Sequence, residues 1–391
     1  MKALRIHAGP GAMRQLRDQG GLAPENVGVV PAAAGGPKGL ILGPLDRFLF
    51  GEWLAASTHP VHLVGASIGA WRMATACLQH GAVQAFERLE HDYIHQTYDL
   101  PPGARRPTAA HVSERFGQNL RAFFAGREAE LLTHPRYRLH IVTARGRHVL
   151  GREHRLGTPL GYLGAFAANA LHRRALGWWL QRVVFSSGQG DGEGLAPLPF
   201  DARDFSTRQV ALSLDNLLPA LQASCSIPFV LQAVHGIPGA PPGAYWDGGI
   251  TDYHLHLRYR VDDSIAIKDI AVSAYPSSAG GQKDAETGRA PLVLYPHFQS
   301  SVVPGWLDKN LRWRHRSTPA LHRMIVLSPS AEWVAALPRA KLPDRNDFTH
   351  YGTDTAARVR AWKAATSASQ QLADEFAQWL QRPDLDCVRP L

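Results

Sequence analysis

Six short runs constrain this 391-residue chain more than anything else in it: "NVGVV" (Val27–Val30 at its centre), "VHLVG", "YRLHIVTA", "DIAVSAYP", "LVLYP" and "RMIVLSP". Each is four to eight residues long and rich in β-branched or aromatic residues. None alternates strictly between apolar and polar. A strand with one wet face must alternate, so these runs belong to a sheet covered on both faces, which is the habit of parallel α/β sheets. The intervening stretches carry helical spacing. Leu42, Leu45 and Leu49 recur between Gly39 and Leu54, with Pro44 in an early turn or at a bend. "ASIGAWRMATACLQHG" is built of good helix formers and has Gly81 as its stop. Asp354–Gln381 reads as one amphipathic helix carrying Val359, Trp362, Leu372, Phe376 and Trp379. The expectation is a three-layer α/β/α domain with a largely parallel central sheet. No shift in composition marks a border, so residues 1–391 read as a single domain. Two Gly-, Ser- and Pro-rich loops, 186–200 and 275–291, are long enough to be mobile.

Three glycine-rich turns carry candidate chemistry. "LVGASIGA" places Ser67 between Gly65 and Gly69, after an apolar strand and at the start of a helix. That context suits a nucleophile elbow, where small neighbours let other backbone come close and the helix N-terminus favours developing negative charge. Upstream, "AAAGGPKGL" forms another strand-to-helix turn, in which the adjacent Gly35 and Gly36 can aim consecutive N–H groups into one small space. It is not a Walker loop, since Lys38 precedes Gly39 and no Ser or Thr follows. It also lacks the spacing of a dinucleotide loop. A third turn, "AYWDGGI", puts Asp247 before Gly248 and Gly249. An Asp-Gly pair is common in plain β-turns. An aspartate with an ordinary pKa of about 3.9 is also a feeble base, unless desolvation raises it.

Taken in order, a Gly-Gly-x-Lys-Gly turn, G-x-S-x-G and a distant Asp-Gly-Gly resemble the patatin-like phospholipase family. "QASCSIPFV" (222–230) matches that family's Ala-Ser-x-x-x-Pro segment. The motif-bearing part spans about 27–250, and 251–391 completes the fold with little that can be matched. The resemblance implies acyl-ester hydrolysis by a Ser–Asp dyad without histidine, through an acyl-enzyme. Carried over, Ser67 is the nucleophile and Asp247 the base. The oxyanion hole falls at Gly35, Gly36, Lys38, Gly39 and Ile68, the elbow glycines are Gly65 and Gly69, and the Asp-Gly-Gly motif continues in Gly248 and Gly249. Two departures matter: Ala34 stands where the family has the first glycine of its triplet, and Pro37 removes one N–H. Gly35, Gly36 and the Ile68 amide must therefore do the donating. No cofactor is implied.

Two rival functions set the tests. An ordinary α/β-hydrolase would need a later histidine, and His297, His315, His322 or His350 could fill that slot. A non-catalytic lipid-binding protein could also use this fold. The histidines make no metal-ligand spacing, and three scattered cysteines (Cys77, Cys225, Cys387) suggest a reducing compartment, hence a cytoplasmic protein. The net charge of +9 comes without any long basic block. It fits a peripheral visitor to anionic lipid surfaces better than a nucleic-acid partner. Trp306 and Trp313, within "VVPGWLDKNLRWRHR", are the residues expected at headgroup level, the alternative being a solvated helix with its tryptophans in the core. "GYLGAFAANALHRRALGWWLQ" reads as either a cap over an acyl channel or a buried helix.

Overall fold

The computed structural model describes residues 2–98, 107–188, 195–260 and 291–391. Its frame is one mostly parallel sheet of ten strands flanked by helices. The strands are β1 (Leu4–Ala8), β2 (Val27–Ala32), β3 (Val61–Ala66), β4 (Tyr137–Gly146), β5 (Leu180–Ser186), β6 (Thr207–Ala211), β7 (Tyr245–Asp247), β8 (Leu292–Pro296), β9 (Met324–Pro329) and β10 (Arg389–Pro390). Their order is β10-β1-β9-β8-β2-β3-β4-β5-β6, with β7 added on β4. The central strands β9, β8, β2, β3 and β4 are parallel, and antiparallel pairing occurs at β1/β9, β4/β5 and β4/β7. Every residue of β2 and of β8 is buried, the signature of strands covered on both faces. Five of the six apolar runs thus form central strands; "DIAVSAYP" lies outside the described residues, as do parts of both long loops.

The register of β4 brings the candidate residues together. Its first half pairs with β3 up to Val142 opposite Ala66, and its second half pairs with β7 from Thr143 opposite Asp247. Two strands running toward each other therefore meet end to end along one edge of β4. Ser67 follows Ala66 directly, so the serine and the aspartate leave the sheet at neighbouring points.

Three helical expectations need correction. The segment after Ser67 is helical only over Ile68–Ala76; Gly81, at φ 65°, instead precedes the next helix, Ala82–His95. Between Gly36 and Ala56 the chain changes pitch repeatedly, with a regular α-helix only over Gly43–Phe48, where Pro44 sits in the first turn and so gives up no helical hydrogen bond. The C-terminal stretch is two helices, Thr355–Ala368 and Gln370–Gln381. They are broken at Ser369, whose hydroxyl donates to the Thr366 carbonyl.

Candidate active site

Ser67 lies in the tight turn between β3 and its helix, at φ 57° and ψ −130°. Few non-glycine residues adopt such a backbone, at a cost of order 1–3 kcal/mol. The turn persists because its surroundings over-determine it. A Cβ on Gly65 would stand 2.4 Å from Ala70 Cα, and one on Gly69 would stand 2.0 Å from the Ala32 carbonyl oxygen. Both glycines are thus required by backbone passing against backbone. The Ser67 N–H donates to Ser224 Oγ (2.9 Å), and that hydroxyl donates to the Val142 carbonyl (2.7 Å), so the elbow is tied to β4 through a fully buried serine.

The aspartate turn is packed just as tightly. A Cβ on Gly248 would collide with Val142 O at 2.0 Å, and one on Gly249 would meet Ala34 Cβ at 2.5 Å. The Asp247 N–H donates to Ser226 O and the Gly248 N–H to Ser224 O, so the "SCS" stretch ending the helix Leu217–Cys225 braces serine and aspartate together. Burial pushes the Asp247 carboxyl above its ordinary range. The Ser67 hydroxyl, the Arg345 cation and the Gly249 N–H (2.7 Å from Oδ1) each pull it back. Burial also keeps the neighbouring Cys225 thiol protonated, well above its usual pKa.

The glycine turn at the end of β2 completes the constellation. The Ala34 N–H is taken by Tyr253 O, just past the aspartate turn. Among the described residues the N–H groups of Gly35, Gly36 and Ile68 have no hydrogen-bond partner. Gly36 takes φ 57°, and the Phe298 ring fills the space a Cβ on Gly35 would need. Lys38 enters through its side chain, which lines the cleft with Nζ 5.3 Å above the Phe298 ring. Gly39 lies behind, in the short helical run Gly36–Leu42, packed against Ile68 and Arg72. A buried bidentate pair, Arg72 with Asp46 (both contacts 2.6 Å), clamps the elbow helix to the helix after the glycine turn.

The glycine turn and the aspartate turn open on one cleft of about 270 Å³, lined by Ala34, Gly35, Asp247 and Gly249 on one side and by Ile227, Trp306, Lys309 and Arg345 elsewhere. It lies beyond the carboxyl ends of parallel strands, where open α/β sheets bind ligands. Arg345 reaches the cleft from a region without motifs, and Lys309 comes from the "VVPGWLDKNLRWRHR" run, whose sequence suggests a headgroup contact and not a place in this cleft. Ser224 was part of a matched segment, but its hydroxyl relay follows from the register of β4 alone.

None of the four candidate histidines hydrogen-bonds to Ser67 or Asp247 among the described residues. His297 is buried, held neutral with a pKa near 3 by desolvation, and bonded to Gln299 O; His315 bonds to Asp308 O. His322 packs on Gly11, and His350 on Tyr351. No group of three or more His, Cys, Asp or Glu side chains among the described residues could hold a metal ion. No known family model matches the chain, and no curated protein matches it significantly.

The helix Gly157–Leu171 is buried on one face only. Its inner face, with Tyr162 and Ala165, packs over Trp246 and Ile250 beside the aspartate. Its outer face carries Leu160 and Leu163 (65% and 63% exposed) and ends at Leu171 (87%), with Trp178 beyond at 73%. Trp306 is half-buried in the cleft wall and Trp313 is exposed, on two separate single-turn pieces in place of a helix. Among the described residues no helix is long and apolar enough to cross a membrane.

Proposed function

We propose that the protein is a serine hydrolase of acyl esters that works with a Ser67–Asp247 dyad, as its resemblance to patatin-like phospholipases implies. The observation that carries this reading is the convergence on β4: a serine in a strained turn and a buried carboxylate at adjoining strand ends, beside three unpartnered N–H groups. In the reaction, Ser67 Oγ attacks the ester carbonyl while its proton passes to Asp247. The carbonyl oxygen, now an anion, is stabilised by the N–H groups of Gly35, Gly36 and Ile68. Asp247 then gives its proton to the leaving alcohol. Water attacks the acyl-enzyme, loses its proton to the same carboxylate, and frees the acid as Ser67 is restored. The raised basicity of a desolvated Asp247 suits this double role.

A fluorophosphonate probe should label the peptide holding Ser67, and Ser67→Ala should lose at least about three orders of magnitude of esterase rate. Asp247→Asn should be nearly as damaging while keeping the fold. Labelling at another residue, or full activity in Ser67→Ala, overturns the assignment. Loss of activity on replacing His297 or His315 in a folded protein would favour the triad.

The partner surface proposed for this enzyme is an anionic lipid–water interface, met by the outer face of the helix Gly157–Leu171. The exposed Phe229, which packs against the buried Tyr162 ring and follows Ile227 and Pro228 at the cleft wall, adds to this apolar surface. The exposed Arg155 and Arg174 flank the stripe, and no acidic residue occurs from His154 to Gly188. That charge favours anionic headgroups and repels a second copy of the same face. Leu160→Asp with Leu163→Asp should weaken sedimentation with anionic vesicles at least tenfold. Unchanged vesicle binding, or a dimer that the variant dissolves, refutes the lipid assignment.

A further inference from the structure

Three cations share the lining of the catalytic cleft with two carboxylates, Asp344 and Asp247. Arg345, Lys309 and Lys38 all line it, and among the described residues none has an ion-pair or hydrogen-bond partner for its side chain. The Arg345 guanidinium stands over the glycine turn, with Nε 3.3 Å and Nη2 3.7 Å from the point where a Cβ on Gly36 would sit. Lys309 Nζ lies 5.2 Å above the Tyr253 ring and Lys38 Nζ 5.3 Å above Phe298. Both rings are themselves built against the reacting turns, since Tyr253 O takes the Ala34 N–H and Phe298 fills the space beside Gly35. The acid that also lines this wall, Asp344, is already engaged by Lys341 at 3.0 Å and by the Asn346 N–H. Asp247, the remaining carboxylate in the lining, faces both Ser67 and Arg345. Lys309 and Lys38 are both held below the usual lysine range, first by desolvation and then by neighbouring cations, with Asp344 opposing the shift in part.

Like charges gathered in excess around a cleft repel each other, and an anion placed between them reduces that cost. We propose that the cleft takes an ester carrying its own negative charge, a carboxylate or a phosphate. That group is held by Arg345 and Lys309, with Lys38 beside it, within a few bonds of the scissile carbonyl. This deepens the hydrolase reading and rests on it for the word ester, while the anion site itself stands on the geometry of the rim. Arg345 and Lys309 set specificity; the dyad and the three N–H groups do the chemistry.

Binding and turnover separate the two readings. Calorimetric titration of the Ser67→Ala protein with sn-glycerol 3-phosphate and, separately, with 3-hydroxybutyrate should give saturable binding of at least one, with glycerol as the uncharged control. The stronger of the two tells a phosphate source from a carboxylate source. Adding Arg345→Gln or Lys309→Gln should weaken that binding at least tenfold, and Arg345→Glu should abolish it. In the otherwise unaltered enzyme, kcat/KM for 4-nitrophenyl hemisuccinate relative to 4-nitrophenyl butyrate should fall at least tenfold on Arg345→Gln. Absence of anion binding with no preference for the charged ester overturns the proposal and leaves the hydrolase standing. Anion binding without hydrolysis of any ester does the reverse. Equal losses on charged and neutral esters would make Arg345 a support for the oxyanion and also overturn it.

Discussion

Replacing Ser224 by alanine removes one oxygen atom and disconnects two buried backbone groups. In the native protein that hydroxyl accepts from the Ser67 N–H at 2.9 Å and donates to Val142 O at 2.7 Å, and its residue has no exposed surface. Each backbone group left without a partner costs about 1–3 kcal/mol. The vacated space is that of a single hydroxyl, too small to admit a compensating water. The expected loss is therefore about 2–6 kcal/mol, which for a chain of this size lowers the thermal midpoint by on the order of 5 °C. Catalysis should suffer separately. The Ser67 turn sits in a sparsely populated backbone region and is held there partly by this bond, so its Oγ should drift from the line of attack. A misplacement of about 1 Å can cost roughly a hundredfold in rate. The assay pairs differential scanning fluorimetry with esterase kinetics, and the expected signature is a fall in kcat of about 10- to 100-fold with KM little changed. A midpoint within 1 °C of the wild type together with full kcat would refute the bracing role assigned to Ser224.

Gly69→Ala forces a Cβ to 2.0 Å from the Ala32 carbonyl, so soluble protein from this variant should be scarce and inactive. Expression beside Gly126→Ala, whose added Cβ meets nothing within 4 Å although its φ is +73°, checks that the effect is local. The activity–pH profile follows from Asp247. Its carboxyl titrates above the ordinary aspartate range in the folded state, so the acid limb of kcat/KM should lie above that range. A folded pKa above the unfolded one also means that this group favours the folded state at low pH, and that the benefit is lost as pH rises through the folded value. Arg345 holds the carboxyl down, so Arg345→Gln should move the acid limb upward; a downward move contradicts the geometry. Arg72→Met strands Asp46 in the core and should cost about 3–5 kcal/mol in denaturant melts, whereas the double change with Asp46→Leu should cost less than that single one.

The central strands were legible because burial on both faces leaves apolar runs without strict alternation: β2 and β8 are buried throughout, and β3, β4 and β9 break the pattern only at isolated positions such as His62 and Arg138. The strands that escaped notice lack it. β1 alternates, β6 is mostly exposed, and β7 has three residues. β5 follows the helix Gly157–Leu171 and the short helical run Arg173–Trp178 in a mainly apolar tract broken only by His172, Arg173 and Arg174, where periodicity does not separate strand from helix. The three glycine turns could be found because each carries a close approach or a positive φ that favours glycine, and that need is written in single residues. Arg345 and Lys309 could not be found that way. A lone arginine in "PDRND" looks like any surface charge until the chain folds back to place it over Gly36.

The reacting turns touch one another through main-chain atoms: Gly69 against Ala32 O, Gly248 against Val142 O, Gly65 against Ala70. Side-chain substitution has no purchase on such contacts, which makes this half of the cleft close to immutable under selection. The opposite wall is different, since Trp306, Lys309, Arg345 and Asn346 present side chains that can be exchanged singly without disturbing any of those approaches. On the hydrolase reading, new substrate preferences in descendants of this chain should therefore arise by drift at those positions. Exchanging them together would be the direct route to retargeting the cleft.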